Sequence, residues 1–211
     1  MDMDSKNEIT TLHRKVVGLS VLETLERYWH DLRGDNLIPS RADVDPSQID
    51  AALPYSFIAE RVAPGVARMR VVGQKVNALI GGEARGMPLS VLMTNDARPT
   101  LAAHLEVAFN KPAIVELPLF SAKSLTRQKL TGRMLIMPLA GVHGDPTRAL
   151  GAILVDGVPG RSPRQFDIPD AEHVRIDPIS IHPSAMAVAS RASYEKRPAQ
   201  RPALRLVVNN A

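Results

Sequence analysis

Phe57-Ile58-Ala59-Glu60-Arg61-Val62, then Ala63-Pro64-Gly65, then Val66-Ala67-Arg68-Met69-Arg70-Val71-Val72 is the passage on which the fold turns. Two short runs rich in apolar and β-branched residues flank Pro64-Gly65, a pair that reverses a chain because proline presets φ and glycine accepts positive φ. The second run alternates, which puts Ala67, Met69 and Val71 on one face. The passage reads as a β-hairpin with one buried face.

Downstream of it, a glycine-punctuated helical stretch runs from Gly73 to Gly86, and Leu89-Ser90-Val91-Leu92-Met93 leads into a second helix from Arg98 through Phe109. In that helix Leu101, Leu105 and Ala108 share a face. Three strands follow, Ala113 to Phe120, Lys129 to Leu139 and Ala149 to Val155, the last two joined by the turn-forming loop Gly141-Val142-His143-Gly144-Asp145-Pro146.

Upstream, Val21, Leu25, Tyr28 and Leu32 recur at helical spacing with Leu22 and Trp29 beside them, so an amphipathic helix is expected to end near Arg33, where Gly34 supplies a stop. Trp29 is the only tryptophan of a chain that is 4% aromatic. Such a ring anchors a core or an interface. The stripe therefore packs either on its own sheet or on a second subunit, and the sequence leaves both open. Pro39 and Pro46 then force extended backbone before them. Asp45 is placed to cap a short helix from Pro46 through Ile49.

Composition bounds the rest. With 211 residues and 45% hydrophobic content, one domain with appendages is expected: an extension over 1–20, the domain over 21–156 and a flexible tail over 157–211. From Gly157 onward eight Lys or Arg stand against five acids, and seven of the 17 prolines fall there, which accounts for most of the net charge of +4 without any sustained apolar period. Leu204-Arg205-Leu206-Val207-Val208 reads equally as a docking strand or as a free tail end. The chain has no cysteine, which excludes disulfides, thiolate catalysis, Cys-ligated zinc, iron–sulfur clusters and cysteinyl-flavin photochemistry. Met1-Asp2-Met3-Asp4-Ser5-Lys6 does not open a basic region followed by an apolar one, and no later apolar run is long enough to cross a bilayer, so a cytoplasmic protein is expected.

No enzyme signature emerges. The glycines at 81, 82 and 86 do not form a dinucleotide loop, and Ser90, Ser121 and Ser124 lack a nucleophile elbow. His143, His173 and His182 are not at metal-ligand spacing.

The order of two strands, short helices and three strands resembles a PAS domain. Arg70-Val71-Val72-Gly73 and Leu79-Ile80-Gly81-Gly82-Glu83-Ala84-Arg85-Gly86-Met87-Pro88-Leu89 resemble the passage from its second strand through its helices, and Asn95-Asp96-Ala97-Arg98 the start of its long helix. The motif from Tyr28-Trp29-His30-Asp31-Leu32-Arg33-Gly34 to Pro39-Ser40-Arg41-Ala42-Asp43-Val44-Asp45-Pro46 is similar to that of a bacterial family of small single PAS proteins common in alphaproteobacteria. The resemblance covers about Val21 to Asp156. It implies an α+β fold, a five-stranded antiparallel sheet with helices on one face, preceded by an N-terminal amphipathic helix.

It also implies a sensory or regulatory protein that works by protein–protein interaction, without catalysis, through a signalling partner and a homodimer, under the control of a small-molecule ligand or of localisation. Tyr28, Trp29, Arg33, Arg41 and His104 are the ligand or interface candidates. Arg33 and Arg41 read first as structural ties that could pair with Asp43 or Asp45. Some PAS domains hold haem through a His on the long helix, where His104 also falls, but its mid-helix place does not match the haem-binding pattern and a lone His beside an apolar stripe weighs against haem, so the ligand stays unknown. The alternative function is binding of nucleic acid or an anionic surface through Arg191, Lys196, Arg197, Arg201 and Arg205 with Tyr194. Dilution by proline and the lack of a recognition helix rank it second.

Overall fold

A computed structural model describes residues 21–124, 127–169 and 173–180. The extension over 1–20, the basic cluster from Arg191 onward and the apolar run at 204–208 lie outside the described residues.

The hairpin forms where the sequence places it, as β1 (Ser56–Ala63) and β2 (Val66–Val72). Its turn requires glycine on two counts. Gly65 has φ +66°, and a Cβ there would come within 2.8 Å of the Ala102 side chain. That close approach lets Glu106 accept the Gly65 N–H at 2.6 Å while pairing with Arg61 at 2.9 Å, which ties the turn to a helix distant in sequence. The Gly65 N–H leads the causes that hold the Glu106 carboxyl below its ordinary range, the Arg61 charge assisting.

The helical stretch after Gly73 is shorter than the sequence suggests. With α1 as the motif helix over 21–33, α2 spans Gln74–Ile80 and stops at the left-handed Gly81. A short 3-10 turn, Leu89–Leu92, leads to α3 (Arg98–Asn110), which buries Leu101, Leu105, Ala108 and Phe109. Then come β3 (Ala113–Ser121), β4 (Leu130–Ala140), β5 (Pro146–Val155) and β6 (Arg175–Pro178). Every pairing is antiparallel, and the sheet order is β2-β1-β5-β4-β3-β6. The expected α+β sheet is present, extended by one strand.

Both faces of this sheet are covered. On the front face, α2, the turn at Leu89–Leu92 and α3 bury Met69, Val115, Met134 and Ile153. On the back face, α1 packs Leu22, Leu25, Tyr28 and Trp29 against Ile114, Leu135, Met137 and Leu139. This explains why β4 is an almost continuous apolar run: a strand covered on two sides has no polar face to show. Of the two placements the sequence leaves open for the tryptophan, the structure takes its own sheet. Trp29 is 0% exposed, and its indole N–H donates to the Pro138 carbonyl of β4 at 2.9 Å.

The domain boundary moves. A flexible tail from 157 is expected from the prolines, yet residues 157–169 and 173–180 belong to the folded body. Arg164 N–H donates to the Leu79 carbonyl and Phe166 N–H to that of Leu92, Phe120 and Asp167 exchange backbone hydrogen bonds, and Phe166 is fully buried in the front core. Then β6 adds to the edge of β3, where Arg175 reaches Glu26 of α1 at 2.6 Å and Glu116 at 3.3 Å. Burial opposes the Arg175 charge, but hydrogen bonding to Glu26 and the surrounding carboxylates outweigh it and raise its pKa. The prolines mislead here because they fall between the contacts: Pro163 and Pro169 flank Arg164, Phe166 and Asp167, and Pro178 is the last residue of an edge strand, where proline is tolerated.

Candidate ligand pocket beside the sequence motif

The motif after α1 is held at three points. Ala140 N–H of β4 donates to the Pro39 carbonyl at 2.8 Å. Asp45 N–H donates to the Tyr28 hydroxyl, also at 2.8 Å, so the tyrosine of α1 anchors the motif's own acidic residue. Farther on, the Ser56 hydroxyl donates to the Ala52 carbonyl at 2.8 Å and fixes the entry to β1. Between these anchors the chain makes three 3-10 turns, Arg41–Asp43, Pro46–Ile49 and Leu53–Tyr55. The middle one has the cap expected of it: Asp45 Oδ1 accepts from the Ser47 N–H at 3.0 Å and its hydroxyl at 2.8 Å. Those two bonds, the backbone one first, lower the Asp45 pKa.

The turns stand away from the back face of β1, β2 and β5 and leave a cavity of about 350 Å³. Val44, Pro46, Ile49, Leu53 and Pro54 form its outer wall, and Ile58, Val71 and Leu150 its floor. The floor depends on an irregularity. Ile58 pairs with Val71 but Ala59 pairs with Met69, so Arg70 is the extra residue of a β-bulge. Strict alternation assigns Val71 to the front with Ala67 and Met69. The bulge instead turns it to the back, where it is 52% exposed at the cavity mouth while Ala67 and Met69 are buried. Gly73 also lines the cavity, and a Cβ there would meet the Leu53 and Pro54 carbonyl oxygens at 2.2 and 2.4 Å.

One charged residue lines this cavity, Arg41. Among the described residues its guanidinium has no ion pair or hydrogen bond, so the pairing with Asp43 or Asp45 expected from the sequence does not form. Ser56 and Gln74 are the other polar members of the lining, and the Ser56 hydroxyl is committed to Ala52.

The residues singled out in the sequence are not gathered at one place. Tyr28 and Trp29 face the back core. Arg33 closes the end of α1, its Nε donating to the Asn36 carbonyl at 2.7 Å and its Nη2 to that of Ser180 at 2.5 Å, a structural tie with partners other than the acids expected. His104 lies on α3, in the front layer, with Nδ1 2.7 Å from the Thr100 carbonyl oxygen. Arg41 alone reaches the pocket. Sequence reading does not find Ile49, Leu53, Val71 and Leu150 as lining, although the closely spaced prolines at 39, 46 and 54 signal a cover without regular helix.

Another cation stands out in the front layer. Arg164 is 1% exposed, Nη2 donates to the Gln128 carbonyl at 2.8 Å, and Nε and Nη1 have no partner among the described residues. Burial, and secondarily the charge of Arg127, lowers its pKa. Among the described residues no cluster of three or more His, Asp or Glu side chains could hold a metal ion, and no helix is long and apolar enough to cross a membrane.

A family model for the PAS domain matches residues 19–154. Among solved structures, the light-state structure of the LOV domain of the blue-light photoreceptor Aureochrome1 aligns with 13% identity and a TM-score of 0.38, over 50% of this chain and 83% of that one. An RNA-binding light-oxygen-voltage receptor aligns with 16% identity and a TM-score of 0.37, over 55% of this chain and 35% of that one. A light-oxygen-voltage domain from a flavin-analogue study aligns with 15% identity and a TM-score of 0.38, over 72% and 98% of the respective chains. No curated protein matches the chain.

Proposed function

The chain belongs to the PAS domain family, and from that premise we propose that it is a cytoplasmic sensory or regulatory protein that acts, without catalysis, by binding a signalling partner under the control of a small ligand. The observation that carries this reading is the contrast between a front core of buried apolar side chains and an open, largely apolar pocket on the back. Met69, Val115, Met134, Ile153 and Phe166 occupy the space between sheet and helices on the front. On the back, about 350 Å³ stays open beneath the motif, a volume within the range of small-molecule sites. A ligand there would touch β1, β2 and the turns that follow α1, so its binding energy would bear on the arrangement of those elements. The motif's similarity to small single PAS proteins supports an output passed through contact with another protein.

The test is to denature the purified protein, extract it, weigh the extract by mass spectrometry and record the absorption spectrum of the native sample. A stoichiometric organic mass is expected, with faster amide exchange over residues 41–74 once it has been removed. A protein that carries no bound mass, and whose exchange over 41–74 is unaffected by small-molecule extracts, would instead be an adaptor with no ligand control. A Soret band would replace the pocket reading with a haem one.

A further inference from the structure

We propose that the back-face pocket takes a single-chain amphiphile with an anionic head, its tail on Ile58, Val71 and Leu150 and its carboxylate on Arg41. The inference deepens the ligand-controlled reading above and rests on it. Three observations converge. The cavity wall is predominantly apolar, so a fully polar metabolite would lose most of its hydration there without replacement. The one charge on that wall is a cation, and it has no partner among the described residues. Arginine presents a fork of N–H donors that fits a carboxylate with two parallel hydrogen bonds.

The geometry of the mouth gives the ligand its polarity. Val71 stands half in solvent because the bulge at Arg70 turned it there, so apolar surface is exposed where a tail enters. Arg41 lies in the first 3-10 turn, on the wall opposite the strands, and Gln74 adds a second polar group at the start of α2. A head group among these polar residues keeps its contact with water while the chain beyond it leaves water, a division of labour that needs no buried charge. The Ser56 hydroxyl already donates to Ala52 and is not needed for the head.

The test uses the full chain, with decanoate and 1-decanol as matched probes, titrated calorimetrically against wild type, Arg41→Met and Val71→Phe, each variant first checked for an unchanged thermal transition. Wild type should bind decanoate saturably at one site and 1-decanol more weakly. Arg41→Met should weaken decanoate roughly 10- to 100-fold, the loss of one charge-assisted contact, and leave 1-decanol unchanged. Val71→Phe should reduce both by filling the floor. The proposal is overturned if neither probe saturates, if Arg41→Met treats the two probes alike, or if Val71→Phe leaves both unaltered. Such a result would still leave ligand control standing, because the extraction experiment detects a bound mass of any chemistry. An extract without mass and amide exchange over residues 41–74 unaffected by ligand, combined with saturable decanoate binding, would fault the regulatory reading and spare the site.

Discussion

The two faces of the sheet are built from the same strands and finish differently. On the front, α2 and α3 offer side chains at regular spacing, and the segment through Phe166 seals what they leave, so the core is continuous from Met69 to Phe166. On the back, α1 seals β3, β4 and β5 just as fully, but three short 3-10 turns cover β1 and β2. A helix carries a stripe of knobs that fills a sheet's grooves. A 3-10 turn of three or four residues, two of the three here with a proline at the first or second position, presents few side chains inward and stands off. The pocket is what that substitution of cover leaves open, and it lies in one half of one face.

If the front is the sealed side, removing its last cover should have the largest effect. Ending the chain after Asp156 deletes Phe166, the backbone hydrogen bonds to Leu79, Leu92 and Phe120, and β6. Loss of a buried phenylalanine alone costs about 3–5 kcal/mol, against a total of about 5–15 kcal/mol for a domain. The truncated chain should lose its cooperative urea transition. A normal transition would mean that the segment decorates the core without completing it.

The sealed part of the back gives the next effect. Trp29→Ala empties a fully buried site and leaves the Pro138 carbonyl without its donor, a cost of about 3–5 kcal/mol. The urea midpoint should fall by the same amount at every protein concentration, because the ring packs on its own sheet. A loss that shrinks as protein concentration rises would move Trp29 to a subunit interface. The adjacent His30, exposed and touching the indole only edge-on at 5.1 Å, should cost under about 1 kcal/mol when changed to alanine.

How legible these regions are follows from where their structure originates. The hairpin, α3 and the Asp45 cap are decided within a few residues, by Pro64-Gly65, by the spacing of Leu101, Leu105 and Ala108, and by an Asp before a Pro, and the sequence shows all of them. β6 is a strand because the edge of β3 pairs with it, and Arg-Ile-Asp-Pro carries no strand signal of its own. Phe166 is a single aromatic among polar residues, so its burial is fixed by tertiary contact. The pocket is hidden for a similar reason. Its floor needs a one-residue bulge at Arg70, which alternation cannot reveal, and its mouth needs a cover too irregular to carry a period.

Arg164 offers a change of opposite sign in the front layer. Its Nε and Nη1 are buried without partners among the described residues, and an unsatisfied buried donor costs about 1–3 kcal/mol. Arg164→Met keeps the length and apolar stem and gives up one hydrogen bond, to Gln128. The variant should be more stable than wild type by about 1 kcal/mol in urea unfolding. A clear loss of stability would show that the guanidinium is compensated in solution.

The smallest expected effect isolates the contrast within one strand. Met69 and Val71 are two residues apart on β2, and regular pleating would give them one environment; the bulge sends Met69 to the sealed front and Val71 to the open back. Met69→Ala should cost about 2–5 kcal/mol, the range for a large apolar side chain removed from a close-packed core. Val71→Ala should cost within about 0.5 kcal/mol, because a half-exposed residue beside a cavity leaves no new void behind. The ratio of the two losses in parallel urea titrations measures how open the back face is. If Val71→Ala approaches Met69→Ala, something in the purified protein already covers Val71, and the extracted mass should then identify it.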